Sequence, residues 1–410
     1  TPVVILASEI KDRGYLASFL ILETAMVGTF LALDLLLFYL FWEMMLIPMY
    51  FIIGMWGGAR RIYATLKFFI YTLAGGVFML LGIIFLIYLH HEQFGFFSAS
   101  LLDIYAVQIP FDYSHFLNPQ NLLFLAFAVA FLIKVPMFPF HTWLPDAHVE
   151  APTGGSVILA GVLLKMGAYG FLRFAIPLFP EATTFFTPAL IALSLIGVIY
   201  GAFLALAQND LKKLVAYSSI SHMGLVMLGI FVSNGFGLSG GVFQMLSHGV
   251  STGALFLLVG ILYERRHTRE ISHFGGLTKV MPMYAVFFMI ITLSSLALPT
   301  TNGFIGEFLV LLGAFYEQPL YAVLGGTTAI FSATYLLRMY QKVMFGPLKY
   351  EENKGLRDLS PKEIASLIPI MIMIFWMGLY PKTFLSKMEK SIDHLVSQRH
   401  SYQLEIYEKK

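Results

Sequence analysis

The sequence has 410 residues, 58% of them hydrophobic and 12% charged, with a net charge of +2 and no cysteine. A soluble domain carries about twice that charged fraction, and so small a net charge gives no basic surface for nucleic acid. Without cysteine the chain can hold no disulfide, no thiolate-ligated iron–sulfur cluster and no cysteine-attached haem.

The opening TPVVILAS reads as the end of an apolar segment whose beginning is missing or processed, and no cleavable signal peptide is visible. Apolar runs then recur at about 14–33, 35–55, 65–89, 121–139, 152–178, 186–207, 212–233, 238–262, 282–312, 318–340 and 363–381. Each is long enough to cross roughly 30 Å of hydrocarbon as a helix. Backbone groups in lipid must all be bonded, which leaves helices or closed barrels, and these runs are too long and continuous for barrel strands. The predicted fold class is all-α: a polytopic integral membrane protein of about eleven helices, one transmembrane domain over 1–381. In the polar tail 382–410, Leu385, Met388, Ile392 and Leu395 recur at helical spacing, as in an amphipathic surface helix.

Basic residues fall in alternate loops. Lys11 and Arg13, Arg60 and Arg61, Lys212 and Lys213, the group Arg265, Arg266, Arg269 and Lys279, and the stretch from Lys342 to Lys362 mark one side. The loops 90–120, 179–185, 233–237 and 313–317 carry no Lys or Arg. The positive-inside rule places the first set in the cytoplasm. The tail then falls outside, an exception because it is itself basic.

Two runs break on proline beside an ionisable residue: KVPMFPF with Lys134, and LALPTTNGFIGEF with Glu307. They are five spans apart. Five is odd, so two five-helix units, about 14–178 and 186–340 with an extra helix at 363–381, would run in opposite orientations. Inverted repeats with paired broken helices are a transporter pattern, and the breaks point to the ion site. The plainer reading is two unrelated proline kinks, which membrane helices tolerate.

Few charges fall inside the spans. Glu43, Lys134, Lys165 and Glu307 lie near mid-membrane, with Glu23 in the first run and His222 and His248 in the seventh and eighth. A charge at that depth costs about 2.5–3.5 kcal/mol on insertion scales. A buried Lys–Glu pair can exchange its protonation state when its surroundings change, which is the chemistry of a proton relay. Glu43 and Lys134 are the expected partners, with the broken helix lining a polar cavity beside the lysine. The alternative is a structural ion pair. His222, His248 and Glu23 read equally well as packing residues, and Arg173 reads as a snorkelling residue near the outer end of its span. Asp146, His148 and Glu150 alternate like metal ligands on a loop. A helix cap at Asp146 or Thr153 is the preferred reading of that stretch. No nucleotide, flavin or haem motif is present.

The segments FLFWEMMLIPMYFIIGMWGG, KVPMFPFHTWLPDAHVEAPTGGSVILAGVLLKMGAYGFLRF, NDLKKLVAYSSISHMG and LPTTNGFIGEF resemble the antiporter-like subunit M family of bacterial respiratory complex I, the NADH:quinone oxidoreductase, equivalent to subunit 4 of the mitochondrial enzyme. AHVEAPTGGSVILAGVLLKMG favours that line over its paralogues L and N and over Mrp-type antiporter subunits. The resemblance covers nearly the whole chain. It implies a fourteen-helix parent whose first three helices are absent here, in the bacterial cytoplasmic (inner) membrane. Its proton-handling residues fall on Glu43 with Lys134, on Lys165 as the connecting lysine, and on His248 and Glu307, with His222 as a further polar residue. It implies no cofactor on this chain, with FMN, iron–sulfur clusters and quinone on other subunits, and partners among the membrane subunits, including the paralogous L and N. Protons would pass from the cytoplasm to Lys134, on through Lys165 and His248 to Glu307, and outward, with Glu43 tuning Lys134. The rival expectations are an Mrp-type cation/proton antiporter subunit and a scaffold whose buried charges only hold helices together.

Overall fold

The structure, a computed structural model, describes residues 10–112 and 114–408, with side chains described to residue 398; the opening TPVVILAS lies outside the described residues. Nine helices among them are long and apolar enough to cross a membrane. They are α1 (Arg13–Leu31), α2 (Leu35–Trp56), α3 (Arg61–Phe94), α6 (Thr153–Leu178), α7 (Pro180–Leu206), α8 (Leu211–Val232), α9 (Gly235–Arg266), α12 (Pro319–Met344) and α13 (Pro361–Leu379). The two remaining runs are broken. The fourth becomes α4 (Pro119–Lys134), followed by α5 (Trp143–Glu150). The ninth becomes α10 (Pro282–Ser295) and α11 (Asn302–Glu317). The ninth reads as one run in hydropathy because both of its halves are apolar. A last helix, α14 (Lys382–Glu408), packs on α9. Ile392 is buried there, and Met388 and Leu395 turn to the core.

Polar caps set the helix starts. Asp34, Asn118, Asp210 and Asn234 each accept a backbone N–H from the first turn of α2, α4, α8 and α9. Ser360 and Glu363 form a reciprocal capping box on α13, with Pro361 at its first position. Two short antiparallel bridges tie the bundle at its surfaces. Leu35 N–H donates to the Ala99 carbonyl at 2.8 Å, and Leu101 N–H to the Leu33 carbonyl at 2.8 Å. Likewise Leu211 N–H donates to Arg269 at 2.9 Å and Ile271 N–H to Asn209 at 2.8 Å. One tie lies just before α2 and the other just before α8.

The buried polar groups concentrate on α8 and α9. α8 is enclosed along nearly its whole length, whereas α1, α3, α12 and α13 show one broad apolar face outward. In hydrocarbon, helices gain nothing from hiding leucine from lipid. Close packing and interhelical polar contacts hold them instead.

Candidate functional site

The backbone breaks are where the site begins. After Lys134, Pro136 and Pro139 lack the N–H that would continue α4. The carbonyl freed at Ile133 is satisfied by the Trp143 indole N–H at 2.9 Å. At the second break, Ser294 donates to Asn302 Oδ1 at 2.5 Å, and Asn302 Nδ2 donates to the Ser247 carbonyl and to Ser251 Oγ, each at 3.1 Å. Side chains of α9, α10 and α11 thus close the gap, so irregular backbone at membrane depth is tolerated.

Lys165 follows a π-helical stretch, Leu159–Leu163, inside α6. π turns are often found at functional positions. The Lys165 Nζ turns back to donate to the Ala160 carbonyl and lies 2.7 Å from His248 Nδ1 on α9. The His248 ring is 5.9 Å from that of His222 on α8. His222 Nδ1 lies 3.1 Å from Glu307 Oε1 on α11. Tyr335 Oη stands 3.4 Å from His222 Nε2, and Gln244 Nε2 donates to Glu307 at 3.3 Å. All four titratable side chains are buried. A Cβ at Gly306 would meet Gln244 Oε1 at 2.3 Å, so glycine is what lets that amide approach.

Glu43 and Lys134 are arranged differently. Lys134 is 1% exposed, and its Nζ has no hydrogen-bond partner. It faces the Trp42 ring at 5.1 Å and the Phe68 ring at 5.9 Å. Glu43 Oε1 is buried and also unpartnered. The two are close enough to feel each other's charge, but no direct ion pair joins them. Gly76 makes room for the carboxylate: a Cβ there would sit 1.8 Å from Oε1.

The DAHVE stretch is corrected by the structure. It is the body of α5, not a loop, and neither Asp146 nor Thr153 caps a helix: the caps are Thr142 and Pro152, without side-chain bonds. Asp146 instead pairs with Lys67 at 2.8 Å and Arg60 at 3.5 Å. Glu150 accepts the Arg60 backbone N–H at 2.9 Å. Among the described residues no three such groups gather as metal ligands. His148 is fully buried, stacked on Phe256 at 4.5 Å, with both ring nitrogens unpartnered. Its significance went unread in the sequence, where a helix too short to show periodicity looks like a loop. Glu23 is half-buried on α1 and no hydrogen bond or ion pair joins it to the buried line. Arg173 lies near the end of α6, where its carbonyl accepts the Tyr105 hydroxyl at 2.8 Å.

With this geometry in place, comparisons are informative. The family described as NADH:quinone oxidoreductase/Mrp antiporter, TM, matches residues 32–332. The NADH-quinone oxidoreductase subunit M of Rickettsia prowazekii is 50% identical over 384 residues, 94% of this chain and 76% of that protein. A chain in the respiratory complex I structure of Thermus thermophilus superposes with a TM-score of 0.88 at 35% identity, covering 96% of this chain and 81% of that one. A chain of the Mrp complex of Dietzia sp. superposes with a TM-score of 0.80 at 18% identity, covering 92% and 77%, a likeness of fold alone.

Proposed function

The chain belongs to the NADH:quinone oxidoreductase and Mrp antiporter transmembrane family, and from that premise we propose that it is a proton-translocating membrane-arm subunit of an NADH:quinone oxidoreductase. The observation that carries this reading is the buried succession Lys165, His248, His222 and Glu307, each near enough to pass a proton to the next or to a water between them. Histidine suits the middle positions because its two nitrogens can take a proton on one side and release it on the other. Glu43 and Lys134 form the other end of the relay. The lysine is screened by aromatic faces and biased by a carboxylate it does not touch.

The chain carries no redox group in this reading. Electrons from NADH pass over FMN and iron–sulfur clusters of other subunits to a quinone, and the membrane arm uses that free energy. Its neighbours are the paralogous subunits L and N, and its seat is the bacterial cytoplasmic membrane, with the basic loops inward. The two halves act as inverted repeats. Support comes from the paired breaks after Lys134 and before Asn302, and from the matching ties before α2 and α8, which stand five spans apart.

The test is Lys134→Ala in the intact complex in sealed vesicles. Expected are normal assembly on a native gel and a loss of at least about tenfold in both NADH:quinone turnover and proton gradient. Assembly with both rates unchanged would sink the relay. The matching family also takes in Mrp antiporters, which leaves one rival, a cation/proton antiporter subunit. That rival predicts sodium-dependent exchange without NADH and no co-purifying iron–sulfur proteins.

A further inference from the structure

Gln244 is a buried polar residue to which the relay gives no task. It lies on α9 four residues before His248, so the two side chains share one face of that helix, and each is 3% exposed. Its Nε2 donates to Glu307 Oε1 at 3.3 Å, and the same oxygen stands 3.1 Å from His222 Nδ1. Side chains of α8 and α9 therefore meet on one carboxylate oxygen of α11.

The two backbones leave this amide little room. α9 and α11 are pressed together along a seam of glycines. A Cβ at Gly313 would sit 2.4 Å from Gly237 N, one at Gly240 would sit 2.4 Å from Val310 N, and one at Gly306 would sit 2.8 Å from Gln244 Cα. Small residues at a crossing let helices approach closely in a bilayer. Gln244 is thus held in place by the packing of its own helix on the next. The freedom left to it is rotation about its last side-chain bond, which is soft and roughly two-fold.

The other end of the amide is the informative one. Gln244 Oε1 is buried and has no hydrogen-bond partner among the described residues. Buried acceptors are ordinarily satisfied. An acceptor left over beside a carboxylate finds its donor when that carboxylate is protonated. An ionised Glu307 offers only acceptors and calls for the NH2 end of the amide. A protonated Glu307 offers an O–H and calls for the carbonyl end. Half a turn of the amide exchanges the two ends without moving either helix.

We propose that Gln244 is a positioning residue for Glu307, a two-ended latch that aims the carboxylate at His222 and, after a half turn, holds the proton the carboxylate has taken. The inference rests on the relay reading above. In the step itself, the imidazolium of His222 gives its Nδ1 proton to Glu307 Oε1. One N–H bond breaks, one O–H bond forms, and a neutral imidazole and a neutral acid remain. Without the latch the new O–H has His222 Nδ1 beside it as acceptor, and the proton returns the way it came. With the amide turned, the O–H donates to Gln244 Oε1 instead. Gln244 takes no proton and acts through Glu307.

The experiment is Gln244→Met in the intact complex, a change that keeps the length of the side chain and removes both hydrogen-bonding ends. Expected are normal assembly on a native gel and a fall of about tenfold in gradient per quinone reduced. Infrared difference spectra taken as NADH reduces the complex give a second readout. The protonated-carboxyl C=O band that Glu307→Gln abolishes should move to higher frequency in Gln244→Met, because a carboxyl absorbs lower when it is hydrogen-bonded. Gln244→Glu keeps the shape but sets two carboxyls side by side, which share a proton. Its pumping should recover as pH falls, unlike that of the unsubstituted complex. A side chain that only fills the seam would move neither the band nor the pH profile. The latch is overturned if Gln244→Met pumps normally, if the band stays where it is, or if Glu307→Gln abolishes no such band. Should Gln244→Met fail to assemble, a pH profile of Gln244→Glu parallel to that of the unsubstituted complex overturns it. Normal pumping in Gln244→Met beside collapsed pumping in Glu307→Gln overturns the latch alone, whereas normal pumping in both Glu307→Gln and Lys134→Ala removes the relay beneath it.

Discussion

In the first half of the chain, half-buried Glu43 and buried Lys134 have no hydrogen bond to Oε1 or Nζ, among Trp42, Phe68 and a glycine. By contrast the connecting Lys165 and, in the second half, His248, His222 and Glu307 follow one another through close side-chain neighbours, with Tyr335 and Gln244 beside them. The difference lies in how each charge is kept in a medium that disfavours it. Aromatic faces offer a cation about 0.5–2 kcal/mol, less than the 2.5–3.5 kcal/mol that placing it there costs on insertion scales. That leaves the first pair poised to change state. The second set is held by polar contacts that must be remade one at a time, which suits conduction more than switching.

The largest expected effect comes from cutting the connected set at its start. Lys165→Ala removes the amine that joins α6 to His248, and proton pumping in sealed vesicles should fall about a hundredfold with the complex still assembled. Pumping near normal would mean the contacts are scaffolding. Glu307→Gln keeps a hydrogen-bonding group beside His222 but cannot release a proton. A drop of about tenfold, measured as gradient per quinone reduced, separates conduction from packing. Trp42→Leu probes the other half. Losing the ring face should slow turnover about threefold, within the range of one cation–π contact, and leave assembly intact. An effect as large as that of Lys165→Ala would erase the contrast between the halves.

The smallest effect belongs outside the membrane. The exposed Asp112 carboxyl is lowered to about 2 by the Ser114 hydroxyl and then by His115. A depressed carboxylate adds its stabilisation above the ordinary carboxylate range and loses it as pH falls toward 2. Asp112→Asn should therefore leave quinone turnover unchanged at pH 7. A change there would carry the relay's influence into the 90–120 loop.

How much of this could be read from the residues follows from the physics of lipid. Long apolar runs, alternate basic loops and prolines beside Lys134 and Glu307 are strong signals, because hydrocarbon allows few ways to place a charge or break a helix. Glu43, Lys165, His222 and His248 could be named for the same reason. Which of them touch could not. Inside a bundle both faces of a helix are apolar, so periodicity does not say that His222 meets Glu307 or that Lys134 stands apart from Glu43. The burial of Lys212, 7% exposed, is hidden by its place at a helix start, where lysines usually face water, and that of His148 by a helix of eight residues. Span nine read as one run because its break is apolar on both sides.

The π-helical stretches of α6 lie on both sides of Lys165, at Leu159–Leu163 and Phe171–Ala175. Each stores one residue more than an α-helix of the same rise would hold. Handing that spare residue from one stretch to the other turns the segment between them by about 100°, one residue's share of a 3.6-residue turn, while both ends of α6 stay where they are. The bearing of Lys165 is thus set by the backbone on either side as much as by the histidine it faces.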